Sequence, residues 1–136
     1  MARLVKVLLT VAIVGIGVVT LAAQTKVFTP IRGEAEIGYL KPVTTVDNKA
    51  GMVITIIKVK NMSLTNSIAG LKVEENWYSK SGDLVTGSKV RLKKPLQPLE
   101  IADLKLETPR NPQMDRNSYL FSHTNGKIKT KLLKSF

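Results

Sequence analysis

Catalysis by an activated hydroxyl needs a base, and the chain offers one histidine, His123, with Ser122 beside it. On a strand, neighbouring side chains project to opposite faces, so the two cannot form a nucleophile and base pair. His123 shares the inward face with Tyr119 and Phe121 and is expected to be structural. Glu74 and Glu75 are separated by the same alternation and cannot act as a carboxylate pair. One histidine, no cysteine and methionines at 52, 62 and 114 give no ligand spacing for a metal. No glycine-rich phosphate loop is present, and the chain is expected to be non-enzymatic and to hold no cofactor.

The residues with a functional pattern are basic. Lys89, Arg91 and Lys93 alternate along one predicted strand, and Lys127, Lys129 and Lys131 along another. Both stripes are expected on the outer face of one sheet, where they suit anionic lipid headgroups or an acidic protein. The alternative is a solvated face whose lysines discourage edge-to-edge aggregation. Nucleic acid is not expected, because no aromatics interleave with the lysines.

These residues must be positioned by a chain of 136 residues, room for one domain with a short appendage. Without cysteines the fold rests on packing alone. Net charge is +11, from 21 basic and 10 acidic residues. Only Arg3 and Lys6 of the basic residues fall within 1–23, so the excess belongs to residues 24–136 and favours acidic partners.

Residues 1–23 place Arg3 and Lys6 ahead of a charge-free apolar run, 7–23. This reads as a signal peptide or an uncleaved membrane-anchor helix. As a helix the run rises roughly 25 Å, the short end for spanning a bilayer. The basic residues before it keep the N-terminus cytoplasmic and export the remainder. Residues 24–30 form a tether, and 31–136 the domain.

Within that domain, residues 31–40 form a weak first strand and 43–50 a polar loop. Residues 51–61 are β-branched and apolar on both faces, as in a buried strand. After Gly70 the alternation is clean, with Leu71, Val73 and Trp77 facing in. Glu75 falls on that inward face too. It is therefore paired or exposed there, or a bulge near the two glutamates resets the phase, which is the preferred reading. A turn at 79–83 returns the chain through residues 84–94, with Val90 and Leu92 inward. Leu99 and Ile101 are out of phase with Leu104 and Leu106, which predicts a kink near Ala102 and Asp103. Asn125-Gly126 predicts a hairpin between strands at 119–124 and 127–133.

Seven strand candidates, a lone tryptophan on the third and a closing hairpin resemble a seven-stranded antiparallel immunoglobulin or fibronectin type III β-sandwich, here preceded by one N-terminal apolar helix. Trp77, Tyr119 and Phe121 are its expected core. Tyr119 is either a tyrosine corner bonded to upstream backbone or an ordinary half-buried strand tyrosine. More narrowly, residues 51–108 resemble the FxLYD family of bacterial envelope domains. Asn61, Trp77-Tyr78, Gly82 and Leu96-Gln97-Pro98-Leu99-Glu100 stand at that family's motif positions, with Ser79 replacing its Asp and Leu99 its Gly. The resemblance implies a fold and an exported or anchored setting, and carries no functional residues.

The function these readings imply is a non-enzymatic domain of the cell envelope. It is membrane-anchored on the extracytoplasmic side, or secreted if the leader is cleaved, and acts through protein contacts. The alternative is an accessory single-span subunit of a larger membrane complex.

Overall fold

The computed structural model describes residues 26–136, and this region is all-β. The leader and the first two tether residues, with the apolar helix read there, lie outside the described residues. Eight strands follow in order: β1 (Ala35–Leu40), β2 (Val43–Asp47), β3 (Met52–Asn61), β4 (Lys72–Tyr78), β5 (Leu84–Arg91), β6 (Ile101–Pro109), β7 (Arg116–His123) and β8 (Gly126–Leu133). They form one curled mixed sheet, ordered β2-β3-β1-β8-β7-β4-β5, with β6 paired to β3.

Four sequence expectations change at this level. The count rises from seven to eight because residues 43–47, read as loop, pair with β3 from Val43↔Ile56 to Asp47↔Met52. The sheet is mixed rather than antiparallel because β8 runs parallel to β1, from Ala35↔Ile128 to Leu40↔Leu133. It is a curled half-barrel rather than a clear two-sheet sandwich, since β8 is shared by both arms. No kink interrupts β6, whose register on β3 is continuous from Lys60↔Ile101 to Met52↔Pro109. Leu104 and Leu106 are therefore buried, while Ile101 is simply left outward and exposed.

The predicted final hairpin forms one residue early. Thr124 and Asn125 make the turn and His123 pairs with Gly126. Gly126 is needed for close approach: the carbonyl of Gly33 lies where a Cβ would stand. His123 secures the same contact, its Nε2 lying 2.6 Å from the Gly33 oxygen while the Asn125 N–H donates to Nδ1 at 3.3 Å. The imidazole is thus the Nε2–H tautomer, used wholly by backbone, as expected of a structural histidine. After Ser122↔Lys127 the last strand leaves β7 and follows β1.

The interior has two halves. One is apolar, centred on Ile37, Ile57, Val59, Leu71, Val73, Leu104 and Phe121. Tyr39 and Phe121 stack there at 5.7 Å between ring centroids. Of the expected core, Phe121 is buried and Tyr119 packs partly against the cluster, but Trp77 is only half-buried and lies outside it.

Asn61 closes the apolar end. Fully buried, its Nδ2 donates to the carbonyls of Asn66 (2.9 Å) and Leu96 (3.0 Å), and its Oδ1 accepts from the Ser63 N–H (2.9 Å). Its backbone oxygen also accepts from Leu99 N–H, in a turn where Glu100 N–H reaches back to Gln97 O at 3.0 Å. Pro98 and Leu99 are the middle residues of that turn, and Leu99 has φ 59°, the one non-glycine residue with positive φ among those described. A type II turn places a left-handed residue there and favours glycine. Leu99→Gly should therefore stabilise the domain, by about 1 kcal/mol after glycine's own entropy cost, measured as a raised urea midpoint at unchanged slope.

Candidate functional site

The polar half of the interior is built from both arms of the sheet. From β4 comes Glu75, fully buried. Its Oε1 accepts from the Trp77 indole N–H at 2.8 Å and from the Thr108 hydroxyl of β6 at 2.9 Å. Thr108 in turn bonds Ser88 of β5 at 2.6 Å. Because Thr108 spends its proton on the carboxylate, Ser88 is the donor in that pair. Thr55 is buried nearby on β3, its hydroxyl 3.3 Å from that of Thr44 on β2. Oε2 of Glu75 is buried without a hydrogen-bond partner.

Tyr119 of β7 completes the group. Its hydroxyl accepts from Asn117 Nδ2 at 2.9 Å, a side-chain bond rather than the upstream backbone bond of a tyrosine corner. Burial, and then the negative charge of Glu75, push this phenol from 10.0 up to about 12, against a smaller opposing pull from Thr55 and Thr44. The phenol thus keeps its proton through the neutral range.

Sequence reasoning missed this cluster, although the signal was present. Glu75 has the same parity as Leu71, Val73 and Trp77 and points in with them. No bulge intervenes at Glu74 and Glu75; the register shift comes later, between Trp77 and Tyr78. The sequence favours a bulge because a lone carboxylate among apolar residues is costly, and the donors that offset that cost are remote in the chain. Of the cluster, Ser88 borders a shallow cleft with Glu74, Asn76, Gly87 and Lys89. The cavity at this end, about 480 Å³, lies outside the cluster between Ser79, Ser81 and Asp83 and residues 112–115, and those serines already bond one another and Asp83.

All six residues of the predicted basic stripes are exposed. The structure brings part of the set together. Arg91, Lys72, Ser122 and Lys127 occupy one transverse row across β5, β4, β7 and β8. Lys72 joins the stripes unforeseen, and its Nζ meets Glu74 at 3.1 Å. Arg91 donates to Gly70 O at 3.0 Å, and Lys93 follows just beyond the end of β5. The remainder diverges: Lys89 stands opposite Glu74, Lys129 opposite Glu36 and Lys131 opposite Gly38. Carboxylates thus dilute the two stripes along their length, and the basic row is concentrated at one end. Among the described residues no three His, Asp or Glu side chains gather as a metal site. No family model matches the chain, and neither does any curated protein or solved structure.

Trp77→Phe removes one of the two donors that the structure gives a buried carboxylate, so it should cost about 1.5 to 3 kcal/mol in chemical denaturation. The same change in a Glu75→Gln background should cost clearly less, a coupling that a double-mutant cycle reads directly. Tyr119 gives a pH signature. Its raised folded value means that the unfolded chain loses the proton first, so stability is intact below pH 10 and falls as pH rises toward about 12. Tyr119→Phe should flatten that part of the stability profile.

Proposed function

We propose that this chain is a non-enzymatic, membrane-anchored domain of the bacterial envelope, an immunoglobulin-like sandwich of the FxLYD kind, that works by contact. In this reading the two arms of the curled sheet, β2, β3, β1 and β6 on one side and β7, β4 and β5 on the other, joined through β8, stand where a sandwich has its two sheets. The Gln97-Pro98-Leu99-Glu100 turn supports the resemblance, since Leu99 takes a left-handed conformation at the position where that family carries glycine. The buried Asn61 beneath it supports the same assignment.

The observation that carries the functional reading is where the tether joins. Ser67 N–H donates to Thr29 O and Ile31 N–H to Ser67 O, while Asn66 Nδ2 donates to Thr29 O at 3.1 Å. Residues 28–31 are thereby seated at one end of the sheet, with only residues 24–27 between them and the apolar run. An anchored domain held by one end presents its flanks and far end to partners. One oxygen of the buried carboxylate, Oε1 of Glu75, is held by structural donors on neighbouring strands, which favours a structural role for it.

A specific feature also favours the accessory-subunit reading. Among the described residues nothing pairs with the outer edge of β2, and Val43, Thr44, Thr45 and Val46 carry no charge to blunt it. Such an edge can accept a strand from another protein. Alkaline carbonate extraction of native membranes tests both readings. The full-length chain should stay in the membrane pellet, with an intact mass that includes the leader, and mild detergent should release it as a 15.0 kDa protomer or within a larger assembly. A soluble chain beginning near Gln24 would overturn the anchor.

A further inference from the structure

The two ends of the sheet differ in chemistry. At the far end lie the turns at 47–51, 79–83 and 109–115, rich in Asp, Asn, Ser and Gly, flanked by the exposed Val46 and Leu84. At the tether end lie the 62–67 loop, the 97–100 turn and residues 26–29, joined by the Asn61, Asn66 and Ser67 hydrogen bonds. Here Val27 is 90% exposed, Leu64 76% and Leu99 44%. Lys26 lies over the Phe28 ring, 5.2 Å from its centroid. Beside the turn, Lys93 and Lys94 rim an open groove of about 460 Å³ floored by Leu92, Pro95 and Ile101. The basic row containing Arg91 and Lys127 borders the same end. Of the carboxylates here, Glu100 is turned back onto the Gln97 N–H at 3.0 Å, and the exposed Glu34 and Glu36 are outnumbered by the lysines and arginines.

We propose that this end is a membrane-docking face: Leu64 and Leu99 dip into the interface of an anionic bilayer while Lys26, Lys93 and Lys94 meet its headgroups. The inference rests on the anchor reading and deepens it. Ala23, the last of the apolar run, and Val27 are four residue steps apart, a reach of at most about 14 Å, so an embedded run holds this end and no other against the membrane. Apolar tips among lysines then add two favourable terms, burial of the tips and attraction of the lysines to anionic lipid. Docking fixes the orientation of the domain, with β2 and the far end turned away from the lipid.

The cysteine-free chain allows a direct test. Single Leu64→Cys, Leu99→Cys and Leu84→Cys variants of the full chain are labelled with an environment-sensitive fluorophore. They are reconstituted into phosphatidylcholine vesicles with and without phosphatidylglycerol, and quenched by lipids brominated near the headgroup. Quenching is expected to be several-fold stronger at 64 and 99 than at 84 in anionic vesicles. It should fall to the level of 84 in neutral vesicles or when Lys26, Lys93 and Lys94 are replaced by Glu. Protein that stays with the vesicles through a carbonate wash but shows equal quenching at all three sites overturns docking alone. Equal quenching at 64 and 99 in neutral and anionic lipid overturns the charged component. Protein that washes out overturns the anchor reading and docking with it.

Discussion

The two arms of the sheet are joined because the segment leading into the first strand is clamped against the last hairpin. Gly33 supplies one backbone carbonyl to His123 and to the vacancy left by the absent Gly126 side chain, and its N–H donates to Asn125 O at 2.9 Å. With β1 fixed there, β8 has a ready partner and exchanges β7 for it after the turn. That exchange joins the two arms of the sheet and gives the interior its walls. A histidine that composition alone presents as a possible base is thereby committed, on both nitrogens, to backbone.

The interior so enclosed is uneven. Around the end of β3 it is aliphatic and sealed by Asn61, whose amide is held by three backbone partners. Toward the far end it holds Glu75, a charge whose burial is costly and is offset by Trp77 and Thr108. The donors come from β4 and β6, with Ser88 of β5 behind them, so the carboxylate requires the arms to be in register as well as in contact. A buried polar group of this kind penalises alternative registers, since any slip strands the charge.

The surface repeats that division. Basic and apolar side chains gather at the end where residues 26–31 meet the sheet, while the opposite end is more polar and the flanks mix lysines with carboxylates. The stripes on β5 and β8, continuous in the sequence, are broken in the sheet because each lysine acquires a cross-strand neighbour, and for Lys89 and Lys129 that neighbour is glutamate. What survives as a concentrated basic surface is the row nearest the tether.

Local pattern was sufficient for much of this. Alternation in residues 71–78, the β-branched run at 51–61 and the Asn-Gly dipeptide located strands and the closing hairpin to within a residue, because side-chain direction along a strand is set by its own backbone. Composition separated the apolar run at 7–23 from the rest. Tertiary structure alone decided whatever depends on a partner distant in the chain: that residues 43–47 become a strand because β3 offers them an edge, that β8 is parallel to β1, that Glu75 remains inward because Thr108 waits 33 residues away, and that Leu99 accepts a left-handed backbone because Asn61 holds its turn. The period of a sequence states which way a side chain points. What it meets there is settled by pairing energies between segments that carry no record of one another.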